Sequence, residues 1–278
     1  MHPKTEEFLY FLLWTCDRLG RPTFRNLTDS FECWAYRNGF HRRLAELERR
    51  KLVEALSHSR PATALKACDR VVRLTESGRL HALGGRDPEA AWAREWDGQW
   101  RLALFDLPAA EGTRRNRLRN FLRAHGFGWL QNSVWIRPHP LDDQERALAQ
   151  GERTVESLLF LEARPGAGET DEEIVAGAWD FQGINSLYAR YQQIAEACPS
   201  KPVRDEEGAE LLRQWAAKER AAWLKAIAFD PLLPERLLPK GYLGQRSWEL
   251  RQHTLEFMAK QVRSCRFRLL PKNRAYAR

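Results

Sequence analysis

The pattern of apolar and polar positions is clearest in the middle of the chain. Residues 100–105 alternate with a period of two, which predicts a strand with both faces partly covered. An Asp-Leu-Pro sequence then ends this strand, because proline cannot donate to a sheet ladder. Residues 113–125 instead place Leu118, Phe121 and Leu122 on one stripe and five arginines on the solvent side, which predicts an amphipathic helix.

The segments that follow complete a βαββαβ order. Residues 127–130 and 134–136 are short apolar runs on either side of a polar Gln-Asn-Ser sequence, so they predict a hairpin. Residues 141–150 have the pattern of a second helix, and residues 155–161 have that of a last strand. This order of elements predicts a split ferredoxin-like domain.

The first 88 residues have the pattern of a winged helix-turn-helix domain. Helical spacing occurs three times, and the third helix begins at Asn38, a suitable N-cap, with Phe40, Leu44 and Leu47 facing inward. Two strand-like segments separated by a polar loop then predict the wing. The first two helices and the two strands are expected at residues 8–16, 27–34, 51–56 and 71–74.

The third of these helices is apolar on one side and basic on the other. From Arg37 to Lys51, six basic residues stand against two acidic residues. Such a helix suits the major groove, where its first turns reach base edges and its arginines hold phosphates. Together with basic residues of the wing loop, the candidate DNA-binding residues are Arg37, Asn38, His41, Arg42, Arg43, Arg49, Arg50, Lys51, Arg60, Lys66 and Arg70.

The remainder of the chain predicts helices. Apolar residues recur at helical spacing over residues 180–198, 206–227 and 247–262, whereas repeated prolines between residues 231 and 239 forbid one continuous helix. We therefore expect an α+β chain with three domains. They are a winged helix-turn-helix domain, a ferredoxin-like central domain and a helical C-terminal domain, at residues 1–88, 89–165 and 166–278.

Composition favours a polyanionic partner in a reducing compartment. The 45 Lys and Arg residues outnumber the 37 Asp and Glu residues, for a formal charge of +8. The five cysteines show no CxxC spacing, so we expect neither a disulfide framework nor a zinc site. The N-terminal residues lack a signal-peptide pattern, and no apolar run is long enough to cross a bilayer. We expect a cytoplasmic protein without membrane association.

Catalytic patterns are scarce. The chain has no GxSxG, HExxH or GxxxxGK[ST] sequence. Asp106, at the end of the first central strand, is the one candidate ligand for a divalent cation, but hard cations need several oxygen ligands. Asp106 also fits a turn before Pro108, where its side chain accepts a backbone hydrogen bond. We therefore predict no enzymatic activity, no metal and no cofactor.

Two stretches resemble the phenylacetate-degradation repressor (PaaX) family. The sequence WDGQWRLALFDLP from Trp96 to Pro108, the arginine-rich helix after it, and Gly-Phe-Gly before Val-Trp-Ile resemble the central domain of that family. The sequence DPLLPERLLP from Asp230 to Pro239 resembles its C-terminal signature. The central domain of the family in turn resembles the small ferredoxin-like nuclease of CRISPR adaptation.

The resemblance implies a DNA-binding transcriptional repressor of a catabolic operon. It also implies a homodimer on a palindromic stretch of double-stranded DNA, and release by an acyl-coenzyme A effector such as phenylacetyl-coenzyme A. Dimerisation is expected on physical grounds as well, because one recognition helix covers only a few base pairs. We expect the small-molecule effector between the central and C-terminal domains, where pockets tend to form.

Two other functions stay open at this point. The first is a metal-dependent nuclease of the ferredoxin-like type with an accessory DNA-binding domain, in which Asp106 would bind the metal. The second is an adaptor that binds proteins through its helical C-terminal half.

Overall fold

The computed structural model describes residues 1, 5–6, 9, 40–55, 72–106, 112–140, 158–166, 168–200 and 206–264. The helices are α1 (Phe40–Arg49), α2 (Glu76–Ala82), α3 (Pro88–Trp92), α4 (Gly112–Ala124), α5 (Asp171–Ala178), α6 (Phe181–Glu196), α7 (Glu206–Phe229) and α8 (Gly244–Ser264). The strands are β1 (Val53–Ala55), β2 (Val72–Leu74), β3 (Trp100–Phe105), β4 (Gly128–Gln131), β5 (Val134–Arg137) and β6 (Leu158–Ala163). The predicted α+β class is confirmed.

Two compact units form, and neither is continuous in sequence. Unit 1 comprises Met1–Arg86, Tyr188–Ala228 and Gln245–Arg278, and unit 2 comprises Asp87–Leu187 and Phe229–Gly244. The division into three successive domains stays a prediction. None of the helices in the described ranges has the length and apolarity that a membrane crossing requires.

In unit 1, the described N-terminal elements lie where the third helix and the two wing strands are predicted. Leu44 and Leu47 are buried on the inner side of α1, as its period indicates. Strands β1 and β2 are antiparallel, with Val53 opposite Leu74. Residues 10–39 and 56–71 lie outside the described residues, so the complete winged helix-turn-helix domain stays a prediction.

The start of α2 is held close to the end of α1. The Thr75 hydroxyl accepts a hydrogen bond from the Gly78 backbone N–H and donates one to the Lys51 carbonyl oxygen, at 3.0 and 2.7 Å. A Cβ atom at Gly78 would lie 1.8 Å from the Leu52 carbonyl oxygen. This close backbone approach therefore requires glycine.

The C-terminal helices of unit 1 pack through aromatic rings and one buried ion pair. Trp223 of α7 lies against Tyr191 and Trp248, with ring centroids 5.2 and 5.4 Å apart. Beside these rings, the fully buried Arg251 of α8 pairs with Glu219 of α7 at 3.1 Å. Burying a single charge without a partner costs free energy. The Arg251 and Glu219 side chains therefore each need the other to remain charged in the core.

The N-terminal part of unit 1 contacts α7 directly. The Trp223 indole N–H donates to the Leu83 carbonyl oxygen at 3.3 Å, and Arg86 donates to the Ile227 carbonyl oxygen at 2.9 Å. Residues before and after the predicted central domain therefore belong to the same compact unit.

Unit 2 is built on an antiparallel sheet with strand order β4-β5-β3-β6. This is the strand order that a ferredoxin-like plan requires, with α4 between its first two strands. Leu118 and Leu122 of α4 cover one face of the sheet around Phe105 and Trp135. Residues 141–150, the predicted second helix, lie outside the described residues.

The last strand of the sheet ends later than predicted. Strand β6 extends to Ala163, whereas the sequence pattern ends at residue 161. Glu162 and Ala163 remain in the sheet because they pair with Arg101 and Trp100 of β3. The Glu162 carboxylate also accepts a hydrogen bond from Arg101 at 3.3 Å.

Helix α5 covers part of the second face of the sheet and is absent from the sequence prediction. Val175 of α5 packs in a cluster with Trp100 and Ile136. The helix begins with a capping box in which Thr170 and Glu173 bond to each other's backbone N–H groups. That Thr-x-x-Glu signal is visible in the sequence, but it follows a glycine-rich stretch that indicates a loop.

We expect Gly78→Ala to destabilise the protein by about 2 kcal/mol, because the added methyl group must displace the Leu52 backbone. Chemical denaturation measures this change. Ser77→Ala, an exposed substitution in the same helix, is the matched control and should change the free energy of unfolding by less than about 0.5 kcal/mol. Equal stability of the two variants would contradict the close approach of α2 to Leu52.

Candidate nucleic-acid interface

Helix α1 presents two arginines on the side opposite its buried leucines. Arg42 and Arg49 are exposed and lie seven residues apart, which places them on one face of the helix. In the described part of the chain, neither side chain takes part in an ion pair or a hydrogen bond. Both guanidinium groups are therefore available to an anionic ligand.

Arg43 lies in a different environment from its neighbour Arg42. Its side chain is only 14% exposed and lies 3.9 Å from the Glu46 carboxylate. It also donates a hydrogen bond to the Thr5 hydroxyl at 3.3 Å. Arg43 thus joins α1 to the N-terminal residues and is a weaker candidate for a DNA contact than the sequence suggests.

Glu46 is the centre of this cluster. It accepts a hydrogen bond from the Thr5 hydroxyl at 2.7 Å and lies 3.4 Å from Arg50. The Thr5 hydrogen bond, followed by the nearby Arg50 and Arg43 charges, lowers the pKa of Glu46 below its ordinary value of 4.5. The carboxylate is therefore ionised at neutral pH and neutralises part of the basic charge of α1.

The other predicted DNA-binding residues divide into two groups. Lys51 and Arg50 are exposed at the end of α1, and Lys51 adopts a left-handed backbone conformation with φ of 57°. His41 is helical, and its side chain lies outside the described part of the structure. The remaining predicted residues also lie outside the described ranges: Arg37, Asn38, Arg60, Lys66 and Arg70.

Asp106 is exposed where β3 ends. Residues 107–110, which follow it, lie outside the described residues. The described residues form no group of three His, Cys, Asp or Glu side chains that could hold a metal ion. Hard divalent cations need several oxygen ligands, so the described geometry gives no support to a metal site at Asp106.

A cleft of about 480 Å³ opens on the second face of the unit 2 sheet. Trp100, Leu102 and Ile136 form its apolar floor, and Gln131 and Arg164 lie at its rim. The Trp100 indole N–H already donates to Asp171 at 2.9 Å, so it is not available to a ligand. Sequence reasoning missed this site, because its residues come from separate strands and only the sheet register brings them together.

Arg164 is the cation of this cleft. It is exposed, and in the described ranges its side chain takes part in no ion pair or hydrogen bond. Glu173, which also lines the cleft, is engaged by the backbone and hydroxyl of Thr170. The cleft can therefore accept an apolar group on its floor, and its rim carries Arg164 beside the carboxylates of Glu169 and Glu173.

Comparison with known proteins identifies the central part of the chain. Residues 93–175 match the family model of the PaaX protein central Cas2-like domain. This stretch is similar to the central domain of PaaX proteins. The predicted family resemblance is therefore confirmed, and the matched range contains β3, the cleft floor and most of α5.

A solved structure is similar in fold to this chain over more than residues 93–175. The uncharacterized protein Rv0674 from Mycobacterium tuberculosis is 22% identical, with a TM-score of 0.50. The match covers 81% of this chain and 82% of that protein. At this identity the similarity speaks for the fold alone. None of the curated proteins compared with this chain matches it.

We expect Glu46→Gln to lower the free energy of unfolding by about 1 kcal/mol at pH 7, because a charge-assisted hydrogen bond and two ion pairs are lost. The pKa of Glu46 is lower in the folded protein, so its ionised form adds stability above pH 4.5. This contribution is lost as the pH falls through the lowered pKa.

Thermal unfolding from pH 7 to pH 3 measures this dependence. The difference in Tm between wild type and Glu46→Gln should be largest at pH 7 and should approach zero at low pH. Glu249→Gln, which alters an exposed carboxylate of unit 1, is the control and should match wild type. A difference that stays constant down to pH 3 would contradict the role given to the Glu46 carboxylate.

Proposed function

We propose that this protein is a DNA-binding transcriptional regulator that represses a catabolic operon and is released by a small ligand. The observation that carries the proposal is the pair of exposed arginines, Arg42 and Arg49, on the outer face of α1. The PaaX central domain supports it, because it implies the same class of protein.

Charge explains how α1 would act on DNA. The net charge of +8 attracts the duplex from a distance, and exposed arginines then replace the counterions of individual phosphates. Arg42 lies in the first turns of α1, near the end that reaches base edges in helices of this kind. Arg49 lies near its C-terminal end and would contact the backbone.

A homodimer suits this mode of binding. One recognition helix reads only a few base pairs, and a two-fold arrangement doubles the site. Leu159 and Leu161 of β6 are 52% and 44% exposed. Apolar side chains of this kind favour coverage by a second copy of the chain.

The cleft of unit 2 is our candidate effector site. Its volume lies within the range of small-ligand pockets, and its floor suits the aryl group of an acyl-coenzyme A thioester. Arg164 would meet an anionic part of the ligand at the rim. An effector that binds the DNA-free form more tightly would release the repressor by shifting the population to that form.

We expect Arg42→Gln combined with Arg49→Gln to weaken binding of the duplex upstream of the protein's own gene by more than tenfold. Each lost phosphate contact should also reduce the salt slope by about 0.9. Fluorescence anisotropy at several KCl concentrations measures both quantities. Both side chains are exposed and make no hydrogen bond or ion pair among the described residues. The Tm should therefore change little, by no more than the weak charge interaction of Arg49 with Glu46.

The double variant Lys218→Gln with Lys225→Gln removes the same charge from exposed positions of α7 and is the control. It should bind DNA nearly as well as wild type. If both double variants lose the same amount of DNA affinity, the loss follows from the change in net charge alone. That result would contradict a specific role for α1. Cleavage of the duplex in the presence of Mg²⁺ would also contradict the proposal and favour a nuclease.

We expect phenylacetyl-coenzyme A to raise the Tm of the full chain, because a ligand that binds only the folded state stabilises it by mass action. Differential scanning fluorimetry measures the shift. Arg164→Gln should weaken it, whereas Arg190→Gln, an exposed arginine of unit 1, should leave it unchanged. Absence of any shift with aryl-coenzyme A thioesters would remove this effector class.

A further inference from the structure

Helix α4 has an unusually basic surface that the proposed function does not yet use. It contains five arginines and no acidic residue in its 13 residues. The arginines are Arg114, Arg115, Arg117, Arg119 and Arg123. A solvated helix more often carries charges of both signs, because pairs four residues apart stabilise it.

The packing of α4 on the sheet determines which of its side chains face solvent. Leu118 and Leu122 are buried, and they fix which side faces solvent. At 100° per residue, Asn116 and Asn120 lie opposite these leucines, and both are exposed. The outer face therefore has an uncharged polar line along its centre.

Arginines flank that polar line on both sides. Arg117 lies on one flank, and Arg119 and Arg123 lie on the other, four residues apart. Arg117 and Arg123 are exposed, and Arg119 is half-buried. The result is a surface about one helix wide on which every ionisable side chain is positive.

The described structure leaves two of these charges uncompensated. In the described ranges, Arg117 and Arg119 take part in no ion pair and no side-chain hydrogen bond. Arg123 lies over the Trp135 ring at 5.4 Å, a contact that keeps its charge. Like charges four residues apart, such as Arg119 and Arg123, destabilise a helix by a few tenths of a kcal/mol. A bound anion would offset this repulsion.

The chemistry of the outer face matches phosphate. Arginine, asparagine and threonine side chains all donate hydrogen bonds to phosphate oxygens, and α4 itself contributes no carboxylate. An extended polyanion can meet both flanks at once, which a single small anion cannot do. The exposed arginines of α1 address the same type of ligand, so duplex DNA is the polyanion that the molecule as a whole favours.

We propose that the arginine face of α4 is a second contact surface for the phosphate backbone of duplex DNA. This inference rests on the proposed function, because it adds phosphate contacts from unit 2 to those made by α1. Arg117 and Arg119 replace condensed counterions without reading bases. The surface therefore raises affinity for all duplexes equally and leaves the choice of sequence to unit 1.

The test compares full-length variants on the duplex upstream of the protein's own gene and on a scrambled duplex. Arg117→Gln with Arg119→Gln should weaken binding to both duplexes by a similar factor of roughly ten and lower the salt slope by about two. Arg117→Lys with Arg119→Lys keeps the charges and should retain most of the affinity. Tm values confirm that each variant is folded.

The matched control is Arg94→Gln with Lys240→Gln, which removes two exposed charges elsewhere in unit 2. It should leave affinity and salt slope close to wild type.

Unchanged binding by the α4 glutamine variant, while the α1 variant loses affinity, overturns this inference and leaves the proposed function standing. Binding of a single-stranded RNA is measured in parallel. If the α4 glutamine variant loses only RNA binding and keeps its affinity for both duplexes, the surface serves another partner and this inference is overturned. Failure of the wild type to bind either duplex overturns both proposals.

Discussion

A buried guanidinium group needs a hydrogen-bonding or oppositely charged partner. This requirement decides which arginines stabilise the fold and which stay exposed and able to bind a ligand. Arginine keeps its charge inside a protein, so burial without a partner is very costly. Arg101 in the sheet and Arg251 between helices meet carboxylates at 2.6 and 3.1 Å, and Arg43 lies beside Glu46. These arginines stabilise the fold. Those that stay exposed and without partners in the described ranges, such as Arg42 and Arg117, keep their charge for an anion.

This division explains how one basic chain supports both a stable core and a polyanion-binding surface. In unit 2, Asp97 holds Arg101, and this hydrogen bond lowers the pKa of Asp97 to about 2. The pair therefore stays ionised at neutral pH. In unit 1, Glu46 engages Arg43 and Arg50, and Arg42 and Arg49 stay exposed on α1. Each unit thus contributes its own arginine surface.

Part of the fold follows from the sequence, because strong periodicity and local stop signals accompany the central strand and the arginine-rich helix after it. Strand β3 and helix α4 begin and end within about two residues of prediction. The environment of Arg43 could not be predicted, because its partner Thr5 lies 38 residues earlier in the chain. The cleft was equally hidden, since the sheet register brings Trp100 and Ala163 together. Local pattern predicts elements, whereas long-range pairing selects the site residues.

The central proposal is that exposed arginines of this protein bind duplex DNA upstream of its own gene. A gel-shift titration of that duplex with the wild-type protein, beside a scrambled duplex of equal length, tests it most directly. If the proposal holds, the protein gives a discrete slower band and half-saturates this duplex at a concentration about a thousandfold lower than it needs for the scrambled duplex. Equal retardation of both duplexes, or none at low salt, would contradict it.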